Sequence, residues 1–262
     1  MSAIIPFAEP FTSQQAVIYQ QQLRERRPLV HCLTNDVVQN FTANVLLAIG
    51  ASPAMVIARE EVRDFVVVAD SLLINIGTVN HSIIDSMLLA AESAYQTKTP
   101  WVLDPVAVSP ILTYRTELAK QLLSFNPTVI RGNASEILVL AGEKSSGKGT
   151  DSLDSTDSAL QAAQELAIKY QTIVAVTGAI DYVTDGKTTY AIHAGDEMLT
   201  RVTGTGCALS AMVAAFIGSN EDSLSAAAAA CLSMSLAGER ANKTQGLGTF
   251  IFSVLDHLSL DS

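Results

Sequence analysis

The sequence predicts an α/β protein, a three-layer α/β/α sandwich with a mostly parallel central sheet. Three observations carry that expectation. Runs of three to six mainly apolar residues recur at 28–32, 53–57, 71–75, 101–104, 128–130 and 172–176, as strands covered on both faces require. Longer helical patterns at about 36–49, 80–97, 111–123 and 155–169 separate most of them. That alternation implies right-handed crossovers between parallel strands. Finally, no Pro/Ser-rich linker interrupts the 262 residues, so one domain over 1–262 is expected.

Each element has a local reason. Arg24, Arg26 and Arg27, with Glu25 among them, read as the solvated end of a helix before the strand PLVHC. Asp36 is placed to cap the helix at 37–49. The strand WVLD is followed by Pro105, which forces an extended departure and keeps Asp104 at the strand mouth. Asn133, with Glu136 three residues on, forms a capping box for a helical segment at 134–141. Residues 143–157 are the most polar segment and read as a loop. The string GEKSSGKG at 142–149 nearly matches a phosphate loop, but Gly149 replaces the hydroxyl that would bind a metal, so that reading is rejected. Asp185-Gly186 joins a hairpin of 181–185 and 188–192. Three helical stretches close the chain, at about 206–217, 222–242 and 246–258, the second rich in Ala.

Composition narrows the function classes. Hydrophobic residues make up 48% and charged ones 16%, against about 25% charged in a typical soluble domain. Surface is therefore hidden in a large core or an oligomer. The net charge is −10 with no extended basic cluster, which excludes nucleic acid as a partner. The longest weakly polar stretches, 208–218 and 226–238, are too short to span a membrane. No basic segment precedes Glu9, so a cytoplasmic protein is expected. Three cysteines without a CxxC pair indicate neither a disulfide framework nor a zinc site.

In parallel sheets ligands bind beyond the carboxyl ends of the strands. The residues there include Thr34, Asn35, Met55, Asn75, Asp104, Arg131, Glu136, Thr177 and Gly178. The sharpest element is TGTGC at 203–207, which runs straight into an apolar helix. Gly204 and Gly206, flanking Thr205, let the backbone approach a ligand, and a helix N-terminus favours anions. An acidic chain can hold phosphate there. Cys207, on the first helical turn, is expected to titrate low. Asp104 and Glu136 could hold Mg²⁺ directly or through water.

Six strings together resemble the hydroxyethylthiazole kinase family of the ribokinase-like superfamily. They are 28–56 (PLVHCLTNDVVQNFTANVLLAIGASPAMV), INIGT (74–78), WVLDPVAV (101–108), RGNASEI (131–137), AVTGAIDYVTDG (175–186) and VTGTGCALSA (202–211). The resemblance implies phosphorylation of 5-(2-hydroxyethyl)-4-methylthiazole by ATP with Mg²⁺ in thiamine salvage, and a homotrimer with sites at subunit interfaces. It implies that Asn35, Met55 and Gly204 meet the thiazole and that Arg131, Thr177 and Gly178 meet ATP. Asp104 and Glu136 would serve the metal. Gly204, Thr205, Gly206 and Cys207 would form the catalytic turn, with Cys207 standing where ribokinase-like relatives commonly place an Asp base. A kinase for the pyrimidine half of thiamine is the nearest rival on this scaffold, and PLVHCLTN with ASPAMV argues against it.

Overall fold

The computed structural model describes residues 8–142 and 156–260. Among them the strands are β1 (Glu9–Pro10), β2 (Leu29–Leu33), β3 (Ser52–Ala54), β4 (Ser71–Asn75), β5 (Trp101–Asp104), β6 (Val129–Asn133), β7 (Ile173–Thr177), β8 (Asp181–Thr184) and β9 (Thr189–Ile192). They form one sheet in the order β1-β9-β8-β7-β6-β5-β4-β2-β3. All neighbours pair parallel except β7 with β8 and β8 with β9. The helices are α1 (Ser13–Arg26), α2 (Gln39–Ala48), α3 (Val62–Val68), α4 (His81–Thr97), α5 (Thr113–Leu123), α6 (Ala134–Ala141), α7 (Thr156–Tyr170), α8 (Thr205–Ser219), α9 (Ser223–Arg240) and α10 (Leu247–Leu260).

The period of two along the strands divides the interior into two cores. Val30, Cys32, Leu73, Val102, Val129 and Ala175 face α8 and α9. Leu33, Leu72, Ile74, Leu103, Ile130 and Val174 face α4 to α7. Helices therefore cover both faces, as the apolar strand runs predicted. Residues 226–230 of α9 are consecutive alanines, each fully buried, so α9 can lie close against α8 and the sheet.

The strands at 71–75 and 101–104 match their predicted bounds, and the 181–192 hairpin is present. Three elements were not foreseen: β1, α3 and a 3-10 turn at Glu197–Arg201. The run VVV at 66–68 lacks helical character by propensity, yet Val62 and Val66, one turn apart, are buried while Val67 and Val68 face outward. The Asp36 cap is corrected. Helix α2 starts at Gln39, its N-cap position is Val38, and no side chain caps it. The Asp36 carboxylate instead accepts from the Gln39 side chain at 3.0 Å, while its amide donates to Thr78 Oγ1 at 2.9 Å and ties the segment to the turn after β4. The GEKSSGKG string beyond Gly142, and the expected loop up to residue 155, lie outside the described residues. Among the described residues no helix is long and apolar enough to cross a membrane.

Candidate active site

The head of α8 lies by the carboxyl ends of β4 to β7, because strand register brings those ends level. Asn75 pairs with Asp104, and Asn133 with Thr177. Gly204 is the N-cap with φ 93°, a left-handed conformation that a side chain strains, and a Cβ there would meet Val38 Cγ1 at 2.9 Å. No side chain caps the helix. The first amides of α8 thus face outward with the positive end of the helix dipole behind them.

Arg131 completes that cradle. A Cβ on Gly206 would lie 2.9 Å from Arg131 Nη1 and 3.3 Å from Nη2, so the guanidinium rests directly against the glycine. Its Nη2 donates to Thr177 Oγ1 at 2.5 Å, and its buried Nε has no partner among the described residues. The Thr205 hydroxyl proton is committed elsewhere, donating to Leu199 O at 2.7 Å, so donation to an anion at that position falls to the backbone amide. The Gly178 amide likewise donates to Asp181 Oδ1 at 2.9 Å.

Asp104 and Glu136 form a buried acid pair, 1% and 4% exposed. Glu136 Oε1 accepts from the Ala107 amide and Oε2 from that of Asn133, both at 2.8 Å. Ala107, a non-glycine residue at φ 60°, holds the left-handed turn from which that amide donates. Asn133 Oδ1 accepts from the Glu136 amide at 2.9 Å, closing the predicted capping box. Burial pushes Asp104 up to about 6, against the opposing pull of Arg131. Burial and the neighbouring Asp104 push Glu136 up to about 7. The two titrate as a pair.

The expectation for Cys207 is corrected. Burial and the Asp104 charge push its thiol up to about 11, outweighing Asn75, Arg131 and Asn35. At neutral pH it is a thiol. Its Sγ accepts from Asn35 Nδ2 at 3.4 Å. Asn35 and Asn75 also line a cavity of about 430 Å³ with Thr34, Asp36, Gln39 and Thr78. Met55 is not among its lining residues and packs, half-buried, against the α8–α9 core. Ser210, three residues after Cys207 on the same side of α8, donates to Asp104 Oδ2 at 2.7 Å. A serine in an Ala-rich helix gave no signal in the sequence.

Asp181 supplies a test of this electrostatic picture. Burial raises it from 3.8 to about 6, against hydrogen bonds from Gly178 and Ser235 and the charge of Arg131. The folded chain holds that proton more tightly than the unfolded one. The resulting stability is full below about pH 4 and is lost as pH rises to about 6. Asp181→Asn keeps the acceptor and removes the charge. Its denaturation midpoints at pH 4.5 and 7 should show a shallower fall than wild type, by up to about 2 kcal/mol.

The family model "HK: Hydroxyethylthiazole kinase family" matches residues 20–261. The hydroxyethylthiazole kinase of Pectobacterium carotovorum subsp. carotovorum is 56% identical over 249 residues, covering 95% of this chain and 94% of that one. The solved structure of the hydroxyethylthiazole kinase protein from Pyrococcus horikoshii OT3 superposes with TM-score 0.86 at 39% identity, covering 94% of this chain and 93% of that one. A ribokinase-like superfamily protein from Enterococcus faecalis superposes with TM-score 0.67 at 12% identity over 98% of each chain, a likeness of fold alone. With a family match over nearly its whole length and more than half its residues shared with a relative of that name, the chain belongs to the hydroxyethylthiazole kinase family.

Proposed function

We propose that this single-domain chain transfers a phosphoryl group from ATP to the hydroxyl of 5-(2-hydroxyethyl)-4-methylthiazole, in thiamine salvage. The observation that carries the reading is the uncapped head of α8 with Arg131 seated on Gly206, beside both the acid pair and the cavity lined by Asn35. Phosphoryl transfer is mostly positioning and charge stabilisation. The amides after Gly204 and the Arg131 guanidinium meet the charge of the transferring group, and the cavity orients the alcohol. A protonated Cys207 is a poor base, but a loose transition state needs little proton removal early. Cys207 therefore acts chiefly by position. Thr177, fixed by Arg131, and Gly178 belong to the nucleotide side, whereas Asn35 belongs to the thiazole side and Met55, packed on the core, does not line that cavity.

The residues fit a hard divalent cation. Asp104 Oδ1 is a buried carboxylate oxygen with no partner among the described residues. Each Glu136 oxygen accepts one backbone amide and keeps capacity for another donor. Because both groups are nearly inaccessible, they suit an ion that retains much of its water. Bound Mg²⁺ would neutralise phosphate charge there. A coupled assay for ADP tests the reading. Turnover should require the thiazole alcohol and exceed that with the hydroxymethylpyrimidine alcohol. Equal rates with both alcohols, or none with either, would overturn it.

Assembly belongs to the same proposal: a cytoplasmic homotrimer with sites at subunit contacts. Val37, Ile57 and Ile111 are 65%, 47% and 81% exposed, and all three follow the carboxyl ends of strands. Light scattering after size exclusion should report close to three chains, and a stable, active monomer would sink shared sites.

A further inference from the structure

We infer that Asn75 and Ser210 are positioning residues, a two-donor clamp that turns Asp104 so that one oxygen is satisfied and the other is presented, and that Asn75 ties this carboxylate to Cys207. The inference rests on the proposed role of Asp104. Asn75 Nδ2 and Ser210 Oγ both donate to Asp104 Oδ2, each at 2.7 Å. Oδ1 takes neither donor and has no partner among the described residues. All three side chains are nearly or wholly inaccessible. Two short hydrogen bonds to one oxygen in a dry interior fix a carboxylate's rotation about its Cβ–Cγ bond far better than either alone.

The other end of Asn75 is fixed as well. Its Oδ1 accepts from the Gly77 amide at 3.0 Å and from Asn35 Nδ2 at 2.9 Å. The same Asn35 nitrogen donates to Cys207 Sγ, and Asn35 Oδ1 accepts from the Val37 amide at 3.2 Å. A continuous chain of side chains therefore runs from Asp104 through Asn75 and Asn35 to Cys207. It crosses from the proposed metal region to the thiazole cavity. Ser210 belongs to the clamp but stands outside the Asn35 branch, which makes the two donors separable by experiment.

Three variants test this: Asn75→Ala, Ser210→Ala and the double variant. Each single change should lower kcat about 10- to 100-fold, the cost of a small misplacement near reacting atoms, while Ser210→Ala, at a residue that does not line the cavity, should move KM for the thiazole alcohol less than about threefold. The double variant should fall little below the worse single one, because both donors act on one oxygen. The second readout needs neither metal nor nucleotide. Cys32 and Cys231 are fully buried, so iodoacetamide reports on Cys207 in the ligand-free protein. Asn75→Ala should speed that labelling at least about threefold by loosening the residues that hold the thiol, whereas Ser210→Ala should leave it at the wild-type rate. Unchanged kcat in Ser210→Ala overturns the clamp, even if Asn75→Ala fails to fold. Equal labelling of both variants overturns the link to Cys207. A wild-type protein without kinase turnover would instead remove the functional reading beneath it, while the labelling comparison would still test the geometry.

Discussion

Replacing Gly206 with valine is expected to reduce kcat at least about a thousandfold, the scale of losing oriented donors at a developing charge together with a seated cation. The cause is local. A single Cβ would already lie 2.9 Å from Arg131 Nη1, and the two further methyls of valine compel the guanidinium to leave the head of α8. Its hydrogen bond to Thr177 would go with it. The comparison that gives this result meaning is Cys207→Asp, which leaves the glycine turn and Arg131 intact and should retain turnover within about tenfold of wild type, since little proton removal is demanded early. Steady-state kinetics at saturating ATP on both variants, with thermal melts to verify folding, decide the matter. If Cys207→Asp is the dead variant and Gly206→Val the active one, the cradle is not the centre of the chemistry.

Asp104→Asn should be nearly as damaging, with kcat down about a hundred- to a thousandfold, and yet more stable than wild type at neutral pH. The substituted amide can still accept from Asn75 and Ser210 on one atom. It loses the charge and the acceptor on the other. Burial raises the Asp104 carboxyl to about 6 and Glu136 to about 7. For both groups the folded chain binds the proton more tightly than the unfolded one. Their contribution to stability is therefore fullest below about pH 4 and lost as pH rises to about 7. Removing one charge flattens that decline and relieves its neighbour. Denaturant midpoints between pH 4.5 and 8 would display it. A group whose loss strengthens the fold and cripples turnover is held in place for its chemistry. A variant both less stable and fully active would refute that role.

Much of this was legible in the chain. The fold followed from runs such as SLLIN and WVLD, because strands buried on both faces have no polar alternation to blur their ends. The Asn133–Glu136 box was legible because capping depends on neighbours in sequence. What escaped depended on tertiary surroundings. The first turn of a helix suggested a low-titrating Cys207, but the sequence cannot show that burial and Asp104 outweigh the helix end. Asp36 looked like a cap, but in the fold its carboxylate accepts from the Gln39 side chain and its amide donates to Thr78. Ser210 carries its proposed role only because residue 104, 106 positions away in the chain, ends its strand beside the second turn of α8.

The unbroken alanines at 226–230, all without solvent contact, have an evolutionary consequence. They act as a thin gasket whose gauge sets how near α9 stands to α8 and to β7, β8 and β9, and so how α8 is braced behind the turn proposed to face phosphate. Mutational drift there is limited to shrinkage, chiefly to glycine, whereas a bulkier side chain would shim the whole layer outward and shift the turn at a distance. Descendants of this gene should vary freely along their outer faces and keep that seam small.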